Sequence, residues 1–522
     1  MQRKLTFEKV SEDEEIKAAG LTLDFDEIAR KGSMSREESA IAKWYGIYGS
    51  RQTGNYMARM VVPGGIITSA QARLIAKTAE DFAQGRINIT TRQSLQFHWL
   101  QLKDLPRVLR QLAEETISCF HGCGDVTRNV AACPLAETCA YRRFNVRPYA
   151  LESARLLTSS RDLDNLPRKY KVTWSGCPGA CAQPYMNCVG MIAVKKATGE
   201  EGFKVVIGGG MGWKGFVARE LFSFVPADKA VVLTRAIALL FRDYGDRFNR
   251  AKARLKFVVD RLGVDTCRDI ILRYCADEHV DTSGFDTAPV AEAGPAVPEN
   301  PLTETFMKHD DEGTVRIMVP KGEMDHVQLF RVAELAEMYG DQRVYTTNRQ
   351  NLELHGVSEN RVDTVKTELA KIGFATEGVY GLPDMVACVG TTYCPKAVAT
   401  TRELFERLQP LVNAPVFAGI RDFATINITG CPNACSPYRI ADIGFRGMRI
   451  REETGSVEGY EMLIGGSQTK HGVKLGDFKT TDCVEITGKV LAHFMAVRQD
   501  NETLRGCVER VGVEKFKEVI ML

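Results

Sequence analysis

No stretch of this 522-residue chain approaches the roughly 18 uninterrupted apolar residues that a membrane helix needs; the best, Ala230 to Phe241, is short and carries Arg235. Nor is there an excess of either charge: Lys plus Arg number 68 and Asp plus Glu 66, for a formal net charge of +2. The basic footprint of a nucleic-acid-binding protein is therefore missing, and neither nucleic acid nor a membrane is expected as a partner. The opening MQRKLTFEKVSEDEE lacks the apolar stretch of a secretory signal, so the expected location is the cytoplasm. With 44% hydrophobic and 26% charged residues the composition is that of a globular protein, long enough at roughly 150 residues per domain for three or four domains. Cysteine is plentiful, at 15 residues. An odd number without an export signal argues against a disulfide framework and for free, catalytic or metal-bound thiols.

The cysteines are patterned, and the pattern repeats. AACPLAETCAY (Cys133, Cys139) and SGCPGACAQPY (Cys177, Cys181) in the first half return as VACVGTTYCPK (Cys388, Cys394) and TGCPNACSPY (Cys431, Cys435), displaced by 255 and 254 residues. TTRQSLQFH and TTNRQNLELH, MARMVVPGG and TVRIMVPKG, and KVVIGGG and EMLIGGS are each displaced by 257. Five elements in one order at one spacing are a tandem duplication of about 250 residues. Between the copies DTAPVAEAGPAVPENP, Asp286 to Pro301, reads as an exposed linker.

Within each copy the patterning is α+β. ARMVVP and VRIMVP are short strands, SAQARLIAKTAEDFA and VQLFRVAELAEMYG have helical spacing, and INITTRQSLQFHWL and VYTTNRQNLELHGV are strand-like around a polar turn. One longer helical stretch is expected from Lys229 to Leu262, closing the first copy.

Eight cysteines thus form two C-x5-C…C-x3-C sets of four. Zinc takes four ligands, but its usual knuckles have two- or four-residue gaps. An iron–sulfur cluster takes four thiolates at varied spacings, with turns of the kind that Pro178 and Pro432 shape. A buried structural role is the remaining reading. The other seven (Cys119, Cys123, Cys188, Cys267, Cys275, Cys483, Cys507) have no repeat mates and read as small buried hydrophobes. Gly210-x-Gly212-x-x-Gly215 matches a dinucleotide fingerprint after a strand, but its mate IGGSQTKHG loses the spacing, and no acid is well placed about 20 residues on. A glycine turn that admits a close backbone approach explains both copies; NAD is not expected.

The halves differ in charge. Arg128 stands five residues before Cys133, whereas Pro383 precedes Cys388; Lys169 and Lys171 precede Cys177 where Phe423 and Thr425 precede Cys431. Alternation puts the two lysines on one face of an extended strand, where like charges repel unless an anion lies between them. Arg59 and Arg128 are placed to complete such an anion pocket.

YMARMVVPGG, TTRQSLQFH, GDVTRNV, LPRKYK, VACVGTTYC, GCPNACSPY and IGGS, in this order and over essentially the whole chain, resemble the sirohaem and 4Fe–4S nitrite/sulfite reductases. The resemblance implies an α+β, pseudo-twofold nitrite/sulfite reductase fold, with ferredoxin-like half-domains plus two sirohaem/Fe–S domains. The boundaries expected are an arm at 1–50, half-domains at 51–115 and 303–375, sirohaem/Fe–S domains at 116–285 and 376–522, and the linker at 286–302. By resemblance Cys388, Cys394, Cys431 and Cys435 are cluster ligands, and Cys435 is the thiolate shared with the sirohaem iron. Arg59, Arg128, Lys169 and Lys171 are the basic residues at the oxyanion, and Arg92 and Gln96 contact sirohaem. The implied reaction is six-electron reduction of sulfite to sulfide, or of nitrite to ammonia, with electrons from a ferredoxin or a flavoprotein. Lys at position 171 favours sulfite, since plant-type nitrite reductases tend to have Asn there. A full first-half set (Cys133, Cys139, Cys177, Cys181) departs from the usual single-chain pattern and suggests a second 4Fe–4S cluster, with or without a second sirohaem. The contrasting class is a non-catalytic iron–sulfur electron-transfer protein.

Overall fold

The computed structural model describes residues 10–20, 22–297, 308–309, 312–453 and 455–521. Four five-stranded sheets follow one another along the chain. The first half supplies β1 (Ile47–Gly49), β2 (Asn55–Met60), β3 (Ile66–Thr68), β4 (Arg86–Ile89) and β5 (Leu95–Gln101), then β6 (Ala131–Ala132), β7 (Val172–Ser175), β8 (Val189–Lys195), β9 (Glu201–Ile207) and β10 (Arg219–Pro226). The second half repeats the pattern with β11 (Lys308–His309), β12 (Glu312–Ile317), β13 (Glu323–Asp325), β14 (Arg343–Thr346) and β15 (Leu352–Ser358). It ends with β16 (Val386–Ala387), β17 (Ile426–Thr429), β18 (Ile443–Glu452), β19 (Gly455–Ile464) and β20 (Val473–Lys479).

The ferredoxin-like halves exchange strands. The sheet order is β1-β2-β5-β4-β13 in one and β11-β12-β15-β14-β3 in the other. The exchanged edges are antiparallel, with Glu323 opposite Asn88 and Arg343 opposite Thr68. The helices behind these sheets follow the same logic. Ser69–Phe82 buries Ala72, Ile75, Ala76 and Ala79, and His326–Tyr339 buries Leu329, Val332, Ala333 and Ala336, each a single stripe at helical spacing. Both start with a capping box, Thr68 with Gln71 and Asp325 with Gln328, which satisfies two exposed amide donors at each N-terminus. The two stripes pack into one core containing residues of both copies. The other two sheets each have a core of their own.

One expectation requires correction. The single helix from Lys229 to Leu262 is two helices, Ala227–Tyr244 and Leu255–Leu262, separated at Gly245, whose backbone is extended. The ten residues between carry Arg247, Arg250 and Arg254 away from the helix axis and toward three different partners. The described residues of the expected linker are largely exposed and are tied down at three points. Asp286 bridges Phe224 at the edge of β10, Glu292 bridges Lys196, and Arg143 donates to the Pro295 carbonyl at 3.0 Å. Residues 298–302 lie outside the described residues.

Candidate functional site

Each copy brings a polar turn, between its β4- and β5-type strands, against the cysteine loops of the other copy. Thr91 donates to the Cys435 carbonyl at 2.9 Å, and its mate Asn348 donates to the Cys181 carbonyl at 2.7 Å. There are thus two pseudo-equivalent places between the halves, one facing each cysteine set.

The first of these is strongly cationic. Arg59 and Arg128 converge on the Gly122 carbonyl, at 3.2 and 3.3 Å, and Arg128 also holds the Gly124 carbonyl at 2.9 Å. In the amide orientation that satisfies both groups, Gln96 accepts from Arg59 Nε and Nη2 at 3.2 and 2.9 Å. Arg92 reaches neutral acceptors only: Asn187 at 2.8 Å and the carbonyls of Asn129 and Val172 at 2.6 and 2.8 Å. Lys169 and Lys171 lie just before β7 rather than within it. The expected alternation still holds, because Tyr170 between them turns into the core and donates to the Thr234 carbonyl at 2.7 Å.

Burial pushes the Lys171 ammonium well below its usual range, and the charges of Arg92, Lys169 and Arg254 push the same way. Lys169 falls to about 7, first through burial and then through Arg254, with Cys435 of the other half acting against the shift. Arg92 falls to about 10 by burial. These cations are enclosed by protein, yet each keeps part of its surface accessible, which describes side chains lining an internal cleft. No carboxylate is among the groups acting on Lys171. An interior cluster of this kind keeps its full charge only with an anion to share it; without one its lysines give up protons more readily.

Sequence reasoning missed three residues here. Arg254 arrives on the loop that interrupts the expected long helix and donates to Cys188 Sγ at 3.4 Å. Cys188 is therefore a wall of the cleft rather than a bystander; burial raises its thiol, but the charge and hydrogen bond of Arg254 outweigh that and leave it lowered. Lys256, 2% exposed, donates to the Met211 carbonyl at 2.8 Å and also to the Lys214 carbonyl, holding the glycine-rich loop. None of the three has a repeat or motif signal; for Arg254 alone there is the clustering of Arg247, Arg250 and Arg254 in one short polar stretch.

The second place has the same framework with the charge cancelled. Arg316, the mate of Arg59, faces Glu353, the mate of Gln96, at 3.9 Å. Arg349, the mate of Arg92, is paired with Asp384 at 2.8 Å, and Asp384 also accepts from Asn351 and from the Tyr380 amide. Asp384 replaces Asn129. Two amide-to-carboxylate differences thus turn an uncompensated pocket into a closed, neutral one packed beside Cys133 and Cys181.

The second-half cysteines suit a cluster. Cys388 Sγ accepts from the Gly430 amide at 3.2 Å, the amides of Lys396 and Ala397 point to Cys394 and that of Asn433 to Cys431, and Cys435 lies within electrostatic reach of the other three. In the first half the thiols meet in pairs, Cys139 with Cys177 and Cys133 with Cys181, and the Tyr141 and Arg142 amides support Cys139. Among the described residues no three His, Cys, Asp or Glu side chains converge on one ion-sized point.

The duplicated fold thus sets a buried basic wall opposite a four-cysteine set. The nitrite and sulphite reductase 4Fe-4S domain matches residues 123–278 and 381–522, and the ferredoxin-like half domain of nitrite/sulfite reductases matches 48–115 and 307–372. The chain belongs to the nitrite and sulphite reductase family and is an oxidoreductase, and the family implies an iron–sulfur cluster and sirohaem.

It is 28% identical to the sulfite reductase (ferredoxin) 2 of Mycolicibacterium paratuberculosis, over 95% of this chain and 94% of that one. It is also 28% identical to the assimilatory ferredoxin-dependent nitrite reductase of Haloferax mediterranei, over 95% and 90%. The solved structure of the NirA protein of Mycobacterium tuberculosis superimposes with a TM-score of 0.86 at 26% identity, covering 98% of both chains. Among the described residues no helix is long and apolar enough to cross a membrane.

Proposed function

We propose that this chain catalyses the six-electron reduction of sulfite to sulfide, with nitrite reduction to ammonia as the second activity of the same cleft. The observation that carries the reading is the uncompensated set Arg59, Arg128, Lys169 and Lys171 facing Cys435 of the other half. Lys171 favours sulfite over nitrite.

Sirohaem, when bound, supplies the open iron at which the substrate is reduced, and the cluster on Cys388, Cys394, Cys431 and Cys435 supplies it with electrons. Arg92, Arg254 and Gln96 are assigned to the carboxylates of that cofactor, for which charge-assisted donors are the strong partners. The guanidinium groups of Arg59 and Arg128 orient the oxyanion and offset its charge. Lys169 and Lys171, whose burial makes their ammonium protons easier to release, pass protons to oxygens leaving as water. A ferredoxin-type protein, the donor named for both relatives above, is the electron source we assign.

The N-terminal set Cys133, Cys139, Cys177 and Cys181 is assigned a second 4Fe–4S cluster without a second sirohaem, since the mate of the cationic cleft is neutralised by Glu353 and Asp384. The test is a visible spectrum of the purified protein, followed by steady-state turnover of sulfite and nitrite side by side with an artificial donor. Sirohaem absorption with faster sulfite turnover is expected; a protein without that absorption is the non-catalytic electron carrier instead.

A further inference from the structure

Next to the cationic cleft lies a separate cavity of about 180 Å³, lined by residues that the reading above leaves unused. Its walls come from the N-terminal arm (Asp13, Lys17, Ala40, Lys43, Trp44, Tyr48), from the first half (Gly124, Asp125, Arg168, Arg250) and from Lys396 of the second half. Asp125 is held by three cations, Lys17, Arg168 and Arg250, at 3.1, 2.9 and 2.9 Å, and Asp13 is 3.4 Å from Arg250. Lys43 and Lys396 are left over. Among the described residues neither forms a salt bridge; the charges of Asp13 and Asp125 act on Lys43 against those of Arg250 and Lys396, and its ammonium lies 5.7 Å from the Tyr48 ring centroid. The Trp44 indole N–H is buried without a hydrogen-bond partner.

The inner wall is thin. Trp44 packs against Gly124, and the Gly124 carbonyl on the other side accepts from Arg128 Nε at 2.9 Å. Tyr48 likewise lies within electrostatic reach of Arg128.

We propose that this cavity is an antechamber that binds a small inorganic oxyanion before it passes to Arg128 and Lys169. The proposal rests on the oxyanion-reducing reading of the cleft and adds Lys43, Lys396 and Trp44 to it. At about 30 Å³ per water, the volume holds a four- or five-atom anion with a partial hydration shell and little more. The ammonium groups of Lys43 and Lys396 attract the anion, and the Gly124 backbone that the cavity shares with Arg128 sets it beside the cleft. A lysine from each half makes the antechamber complete only when both copies and the arm are in place.

Two measurements on the purified holoenzyme test it. In steady-state assays at low ionic strength, Lys43→Gln with Lys396→Gln should raise KM for sulfite and nitrite about tenfold with kcat retained, as lost steering does. Lys43→Arg should restore most of the loss. Unchanged KM in the double variant overturns the proposal. In the second measurement sulfate is titrated calorimetrically, with no turnover involved. Binding that is lost in the double variant but kept in Lys169→Ala supports the antechamber, and binding indifferent to Lys43 and Lys396 refutes it. A protein that reduces neither anion yet binds sulfate through these lysines would remove the reductase reading and leave the antechamber standing.

Discussion

At positions 96 and 129 the first copy carries amides where the second carries Glu353 and Asp384, and side chains of otherwise matching geometry then behave differently. A glutamine accepts from Arg59 without consuming its charge; a glutamate would claim it. Gln96→Glu is therefore expected to keep the fold while lowering kcat/KM for sulfite about a hundredfold per bound sirohaem, the scale on which removal of an oriented charge stabiliser is felt. Steady-state kinetics with a cofactor spectrum checks this, and a variant with wild-type turnover refutes the role of Arg59.

His98 gives a second residue-scale prediction. It is 4% exposed and stacks on Tyr393 with centroids 4.0 Å apart, and burial beside Arg402 lowers it from its ordinary value to about 3. A histidine buried neutral binds fewer protons folded than unfolded at pH values between about 3 and 6.5, so its contribution to stability is lost as pH falls through that window. His98→Phe keeps the stack and removes the titration. The Tm of the variant should gain on that of wild type as pH drops from 6.5 towards 4; a constant difference would show that His98 does not titrate between the two states.

Between residue and molecule stand the glycine turns. A Cβ on Gly209 would overlap the carbonyl oxygens of Tyr185 and Asn187, and one on its mate Gly466 would overlap those of Arg439 and Ala441. The close approach expected of this turn is thus made to the protein's own cysteine-bearing segment in both copies, which is why the nucleotide-like spacing need not repeat. Gly209→Ala and Gly466→Ala should each cost about 1–3 kcal/mol in chemical unfolding, whereas Gly419→Ala, with nothing within 4 Å, should cost almost nothing. Equal effects at all three positions would refute the packing role. The repeat made these turns legible in the sequence, as it did the cysteine sets, and helical spacing showed the two helices. It could not show the exchange of β3 and β13, because a strand partner in the other copy, Arg343 for Thr68 and Glu323 for Asn88, leaves no trace in local periodicity. Nor could it show the break after Tyr244, where apolar spacing resumes in Leu255–Leu262 and so reads as one helix across the loop that delivers Arg254.

For the whole molecule the duplication produces two interfaces, and the decisive question is what each holds. The cysteine framework is present at both, with amide donors turned to the sulfurs of Cys388 in one and Cys139 in the other. The cationic wall is present at one only. Cluster ligation depends on the first feature and sirohaem on the second, so the halves should differ in haem and agree in iron–sulfur content. Wild-type protein is expected to contain about eight non-haem irons and as many labile sulfides per chain, beside one sirohaem. Cys139→Ser with Cys177→Ser should lower the non-haem iron to about four while leaving the sirohaem spectrum in place, because Arg92, Lys169 and Cys435 are untouched. Should that variant fail to fold, the wild-type count still decides: about four non-haem irons per chain would mean that the first cysteine set survives as packing, its thiols paired with one another inside a core that no longer binds metal.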